Sequence, residues 1–357
     1  MSKIRVLLIE DSATVRKRLV EVLEQDPTFE VVGEATDGQR GIELCMALRP
    51  DVITMDLMLP GMNGLVATEH IMANCPTPIL IVSAASNRGE VFKTYDALAA
   101  GAVEVIEKPS GAEEPSTWER GFLSTLRIVS RVRVITHPRA RLFGVTRSPG
   151  DDPPATPISR TAFELAVIGA STGGPIALVE LFHALPPRFS LPILVVMHIG
   201  NPFAPAFADW LRSQIGRGAS YAVDGEPISA LAGSVRLAPA DQHLVVRSGR
   251  LRLTSDPPRH SCRPSVDALF ESVARDYGNR TAACLLTGMG RDGATGLLAL
   301  RRSGALTMAQ DEASCVVFGM PREAIQLGAA ERVIRPSDMA RILGQLPSPQ
   351  ALGAKPA

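Results

Sequence analysis

A chain of 357 residues is long enough for two domains at roughly 150 residues each. Its 45% apolar and 21% charged composition suits a globular protein able to bury a core in both. Lys plus Arg and Asp plus Glu each total 37, and zero net charge gives no whole-molecule pull toward nucleic acid or an anionic membrane. Five cysteines (Cys45, Cys75, Cys262, Cys284, Cys315), odd in number and without a Cys-x-x-Cys pair, argue against a disulfide framework or a thiolate zinc site. The amino-terminal run meets Glu10 and Asp11 before reaching signal-peptide length, and no apolar stretch approaches the roughly 20 residues of a membrane span. A cytoplasmic protein without direct membrane insertion is expected.

Residues 1–110 hold 10 basic and 16 acidic side chains, whereas 115–160 holds 8 arginines and 3 acids: an acidic domain followed by a basic strap. Short apolar runs at Val6–Ile9, Val31–Val32, Val52–Met55, Ile79–Val82 and Val103–Ile106 alternate with amphipathic stretches such as Ser12–Glu24 and Gly38–Leu48. Strand–helix alternation of this kind predicts a parallel sheet wrapped on both faces, with its ligand crevice at the carboxyl ends of the strands. Phe122, Leu126, Val129 and Val132 fit one face of a short helix running to about Ile135, and proline-rich Thr136–Arg160 reads as an extended linker.

Chemistry gathers at those strand ends. Glu10 and Asp11 follow the first strand, Asp56 follows the third, Ser83 ends the fourth, and Lys108 lies just past the fifth. Three carboxylates that close repel one another without a cation, and an oxygen-seeking Mg²⁺ is the natural partner. Glu10-Asp11-Ser12, Asp56 within Met55–Gly64, Ser83 and Lys108-Pro109 together resemble the receiver domain of two-component response regulators. The resemblance implies that Asp56 accepts a phosphoryl group from a histidine kinase. It implies further that Glu10, Asp11 and Asp56 hold Mg²⁺, while Lys108 and Ser83 contact the phosphoryl oxygens.

From Phe163 the alternation resumes. Strands are expected at Leu165–Gly169, Pro192–Met197, Val235–Leu237, Ala282–Thr287 and Ala305–Gln310, with a hairpin insertion at 243–254. Helical patterns cover Pro175–Ala184, Pro202–Ile215, Ser265–Tyr277, Gly293–Arg302 and Pro321–Gly328. The run Ile168-Gly169-Ala170-Ser171-Thr172-Gly173-Gly174-Pro175 satisfies Gly-x-Ser-x-Gly, a sharp strand-to-helix turn that exposes a serine hydroxyl beside a helix N-terminus. A dinucleotide loop would need Gly-x-Gly-x-x-Gly and an acid ending the next strand. Here Ser171 replaces the second glycine and the next strand ends in His198. Asp292 follows a further strand through a glycine-containing loop, so a nucleophile, a base and an orienting carboxylate share one rim. The chain order Ser…His…Asp differs from that of the α/β-hydrolases.

Gly169–Pro175, His198, Leu237-Ala238-Pro239, Arg263-Pro264-Ser265-Val266-Asp267, Leu286–Gly293 and Phe318-Gly319-Met320-Pro321 together resemble the chemotaxis protein-glutamate methylesterases, the CheB family. The resemblance implies a catalytic triad of Ser171, His198 and Asp292, and an oxyanion hole from the backbone at Thr172 and Met289. Arg263 would line the substrate cleft. The implied activity is phosphorylation-regulated hydrolysis of glutamyl methyl esters on methyl-accepting chemoreceptors, with glutamine deamidation as a slower second reaction. No cofactor is implied for the esterase. A receiver packed over the cleft until phosphorylated is the implied regulation. A binding module that has lost catalysis is the alternative, and a DNA-binding output is disfavoured because 161–357 shows no basic recognition helix. The expected fold is α/β, two doubly wound parallel-sheet domains, the first flavodoxin-like. The expected layout is 1–120 receiver, 121–160 helix and linker, 161–346 catalytic domain and 347–357 tail.

Overall fold

The computed structural model describes residues 3–84, 88–109, 115–132, 134, 162–200 and 202–347. The linker expected at 136–160 lies outside the described residues, as does all of the expected tail beyond Pro347. Two compact units divide between Thr146 and Arg147. No helix among the described residues is long and apolar enough to cross a membrane.

The first unit runs β1 (Ile4–Ile9), α1 (Ala13–Glu24), β2 (Phe29–Ala35), α2 (Gly38–Leu48), β3 (Val52–Met55), α3 (Gly64–Asn74), β4 (Ile79–Ser83), α4 (Arg88–Ala99), β5 (Glu104–Glu107) and α5 (Pro115–Val129). Its sheet has the order β2-β1-β3-β4-β5 with every pair parallel. That is the flavodoxin-like doubly wound order, and its switch point lies between β1 and β3. Val6 to Ile9 and Ile79 to Val82 are almost wholly buried, as continuous apolar runs in a sheet covered on both faces must be. Ser12, Asp37 and Asn63 begin α1, α2 and α3 as side-chain caps, each taking a backbone N–H of the first turn.

The expected boundary at residue 120 falls inside α5, which belongs wholly to the first unit. Buried Phe122, Leu126 and Val129 explain why, since a helix with one apolar stripe needs a sheet to cover it. Trp118 stacks on Phe122 with ring centroids 5.1 Å apart and donates its indole N–H to the Glu107 carbonyl at 2.9 Å. The helix ends at Val129, short of Ile135.

The second unit runs β6 (Leu165–Ala170), α6 (Gly174–Ala184), β7 (Ile193–Met197), α7 (Ala204–Ile215), β8 (Ala219–Tyr221), β9 (Val235–Leu237), β10 (His243–Arg247), β11 (Arg250–Thr254), α8 (Val266–Asp276), β12 (Thr281–Leu285), α9 (Ala294–Arg302), β13 (Leu306–Gln310), α10 (Met320–Gln326), β14 (Arg332–Ile334) and α11 (Pro336–Gln345). Seven strands form a parallel sheet in the order β14-β13-β12-β6-β7-β9-β8, and β10 with β11 forms the expected hairpin. β8, β14 and α11 add to the expected elements. The two strands are three-residue edge strands, too short for a period to show. In α11 Met339, Ala340 and Leu343 are buried behind an opening Pro336, a narrow stripe. The chain leaves β6 toward β7 on one side and returns to β12 on the other, so the switch point, and with it the crevice, falls at the end of β6.

Candidate active site

The end of β6 is where the serine stands. Ala170 is in register with Met197, and the His198 N–H donates to the Ala170 carbonyl at 3.0 Å. On the opposite side the Ser171 N–H donates to the Thr287 carbonyl, also at 3.0 Å. Parallel pairing therefore carries Ser171, His198 and the loop after β12 to one rim. The turn closes when the Gly174 N–H reaches the Ser171 carbonyl at 2.7 Å. Gly173 has φ +76°, and a Cβ there would sit 2.4 Å from the Val316 Cβ. Only glycine suits that backbone.

Asp292 is buried and receives four hydrogen bonds. His198 Nε2 lies 2.9 Å from Oδ2. Ser265 Oγ donates to Oδ1 at 2.8 Å, the Val266 N–H to Oδ2 at 2.7 Å, and the Asp267 N–H to Oδ1 at 3.0 Å. Three of these donors belong to the start of α8, whose unpaired N–H groups and dipole favour an anion there. Burial pushes the Asp292 carboxyl up, but the bond from His198 and those from Asp267 and Ser265 outweigh it, and the group is held below its ordinary range. Burial would likewise lower His198, yet its bonds to Asp292 and then Cys262 prevail and raise it to about 9.

The imidazole is thus fixed through Nε2. Its Nδ1 faces the Cys262 thiol at 3.8 Å. Among the described residues the Ser171 hydroxyl forms no hydrogen bond, so the structure brings His198 and Asp292 into contact and leaves Ser171 beside them, unbonded. Hydrogen bonds between reacting groups are often long or poorly aligned in free enzymes and tighten when substrate binds. The Thr172 and Met289 N–H groups donate to no protein acceptor among the described residues, and the Met289 side chain is exposed. Arg263 turns toward backbone: its Nη1 lies 3.4 Å from both the Ser255 and the Asp256 carbonyls.

A second cluster occupies the rim of the first unit. Ile9 pairs with Met55, which sets Glu10 and Asp56 abreast, and the Lys108 N–H donates to the Ser83 carbonyl at 2.9 Å. Lys108 Nζ lies 2.9 Å from Glu10 and 3.0 Å from Asp56 Oδ2. Burial, with Asp56 adding to it, raises the Glu10 carboxyl above its ordinary range. Burial would lower Lys108, but Glu10 and Asp56 raise it. The Ser83 Oγ is buried beside them without a hydrogen-bond partner among the described residues. Carboxylate oxygens of Glu10, Asp11 and Asp56 lie within 4.8 Å of one another. An all-oxygen set of three carboxylates, two of them buried and sharing a single ammonium, fits a hard divalent cation of the Mg²⁺ type.

With both sites described, the chain can be placed among known proteins. Residues 166–343 match the CheB methylesterase family model, and residues 6–116 match the response regulator receiver domain. A relative from Anaeromyxobacter dehalogenans, named protein-glutamate methylesterase/protein-glutamine glutaminase 2, is 42% identical over 96% of this chain and 97% of its own. The chain belongs to the CheB methylesterase family. A second family member, protein-glutamate methylesterase/protein-glutamine glutaminase 1 of Syntrophus aciditrophicus, is also 42% identical, over 96% of this chain and 98% of its own. The Thermotoga maritima CheB methylesterase catalytic domain is 34% identical over 52% of this chain and 99% of that structure, with a TM-score of 0.49. The expected two-domain α/β architecture, a receiver joined to a CheB methylesterase domain, holds.

Three contributors in this CheB-family site escaped the sequence reading as individuals. Ser265 is both the α8 cap and an Asp292 donor. Thr287 Oγ1 donates to the Thr172 carbonyl at 2.9 Å and accepts the Val317 N–H at 2.9 Å, tying two loops to the serine turn. Cys262 reaches His198 across 64 positions, a pairing that no spacing rule announces.

Proposed function

We propose that this chain hydrolyses glutamyl methyl esters on the cytoplasmic helices of chemoreceptors, with Ser171 as nucleophile, His198 as base and Asp292 as orienting carboxylate. The observation that carries the reading is the His198 Nε2–Asp292 Oδ2 bond of 2.9 Å at the strand end next to Ser171. Because Nε2 is committed to Asp292, Nδ1 takes the proton as the Ser171 oxygen attacks the ester carbonyl. Backbone N–H groups of Thr172 and Met289 then stabilise the oxyanion. The imidazolium returns its proton to the departing methoxide, methanol leaves, and water repeats the sequence on the acyl-enzyme to restore glutamate and free Ser171. General-base help supplies about 10²–10⁴ in rate and each oxyanion donor about 10²–10³. A glutamine amide follows the same path with ammonia as leaving group, more slowly because an amine leaves less readily than methoxide.

The first unit supplies regulation in this proposal. Asp56 attacks the phosphorus of a histidine kinase's phosphohistidine, the P–N bond breaks and the imidazole leaves; Lys108 pairs with the transferred oxygens, and Ser83 hydrogen-bonds them. Glu10, Asp11 and Asp56 would hold Mg²⁺, which would supply charge neutralisation at the phosphoryl group. Phosphorylation at Asp56 raises the hydrolase activity of the second unit in this proposal, in a cytoplasmic protein. The test is methanol release from methylated receptor fragments, with and without a small-molecule phosphodonor and Mg²⁺. Release dependent on Ser171 and raised by the phosphodonor is the expected result; release that persists in Ser171→Ala overturns the assignment.

A further inference from the structure

We propose that His198 and Cys262 form a reversible inhibitory site for a soft divalent cation, of which Zn²⁺ is the type. The donor atoms of His198, Cys262 and Asp292 lie within 4.8 Å of one another, and the decisive pair is Nδ1 of His198 and Sγ of Cys262, 3.8 Å apart. Tetrahedral zinc with bonds of about 2.3 Å to sulfur and about 2.0 Å to nitrogen separates two such ligands by about 3.6 Å. The pair stands almost at that spacing. A ring whose other nitrogen is held by a carboxylate is the arrangement that metal-binding histidines adopt, and Asp292 holds Nε2 here. Asp292 itself, saturated by three donors from the start of α8, orients the ligand and does not join it.

The thiol is presented by a rigid device. Arg259 and Cys262 exchange backbone hydrogen bonds of 3.0 and 2.7 Å across a two-residue turn, in which His260 (φ 49°) and Ser261 (φ 63°) both occupy left-handed conformations. Side chains other than glycine hold such angles only where surroundings enforce them. Here Arg259 is clamped bidentately by Glu271 at 2.7 Å, and His260 by Asp267 at 3.0 Å. His198 and Cys262 are partly exposed, so water completes the metal's shell. Two protein ligands in place of the four of a structural zinc site make the binding reversible.

Two neighbouring clusters differ in kind. His260 has both nitrogens engaged, by Asp267 and by Arg291 Nε at 3.3 Å, and offers no lone pair. The receiver cluster is all oxygen and suits a hard cation. Binding at the pair releases the thiol proton and occupies Nδ1. Inhibition by this route rests on His198 being the base, as proposed above, whereas binding does not.

The test uses the full-length protein. Zn²⁺ should inhibit methanol release, each protein being compared with its own chelator-treated rate, and Cys262→Ser should need at least about tenfold more metal. Independently of turnover, Co²⁺ should give a thiolate-to-cobalt charge-transfer band that Cys262→Ser and His198→Gln both lose. Equal zinc sensitivity in Cys262→Ser, or no such band in the parent protein, overturns the site. A band without inhibition keeps the site and instead overturns His198 Nδ1 as the catalytic base.

Discussion

Asp292 meets His198 through Nε2, at 2.9 Å, while the same carboxylate is gripped by the start of α8. The helix thereby fixes both the charge and the position of the acid, and through it the ring. The geometry of this candidate site is anchored on a helix N-terminus supplied by a segment far from the serine in sequence.

That relationship sets the pH dependence. A folded-state value of about 9 for His198 against 6.5 in the unfolded chain means that the fold favours the imidazolium. Its contribution to stability is full below 6.5 and disappears as pH rises through about 9. With His198 as the base proposed above, catalysis runs the other way, because the ring must be neutral to take a proton. Across that window kcat/KM for the methyl ester should climb, and stability in urea should fall. Asp292→Asn should move the rate inflection downward and cut kcat by about 10⁴. A profile that levels off near 6.5 in the parent protein would contradict this account of the ring.

Ser265→Ala separates positioning from chemistry. It removes an Asp292 donor and the α8 cap together. The expected cost is about 1 kcal/mol of stability, with kcat lowered more than KM is raised. Ser265→Thr keeps the hydroxyl and should recover most of both, which a purely steric role would not give. Denaturant midpoints and methanol-release kinetics read the two effects apart.

Ser171→Ala should lower methanol release by about 10⁴–10⁶ and abolish labelling by a fluorophosphonate, while Asp56 still takes phosphate from a small-molecule donor. Asp56→Asn reverses the pattern: labelling of Ser171 persists and the response to phosphodonor and Mg²⁺ is lost. Labelling at another serine in the Ser171→Ala protein would move the nucleophile.

Much of this was legible in the sequence because parallel sheets put function immediately after apolar runs. Glu10, Asp56, Ser83, Ser171 and His198 each end or follow such a run, and the structure places all five at strand ends. Asp292 was legible as a residue, but its seat on α8 was not, since Ser265 lies 27 positions away and reads only as a helix cap. Cys262 was the least visible. It stood among five unpaired cysteines, and its turn is built from His260 and Ser261 with neither glycine nor proline to signal it. The same reasoning that excluded a Cys-x-x-Cys metal site had no view of a cysteine brought to a histidine by the fold. The helix face at Phe122, Leu126 and Val129 was legible from its period, but its continuity with Trp118 across position 120 was not, because the stacking partner lies outside the apolar stripe that begins at Phe122.

Gly288 gives the sharpest steric prediction. The loop carrying Met289 and Asp292 passes so near the serine turn that a Cβ at 288 would stand 2.7 Å from the Ser171 Cβ and 2.3 Å from Met320 Sδ. Thr287 pins the same crossing through the Thr172 carbonyl, so the loop cannot simply lift away. Gly288→Ala must therefore displace Ser171 or the Met289 N–H. Overpacking of this kind costs about 1–3 kcal/mol, and a shift of about 1 Å between reacting groups costs about 10² in rate. Gly121→Ala is the matched control: it lies inside α5 with open space around a new Cβ, and should stabilise by about 0.5–1 kcal/mol. Thermal midpoints and methanol release on the two variants check both directions. Parental kcat in a folded Gly288→Ala protein would show that the oxyanion donors do not depend on this crossing.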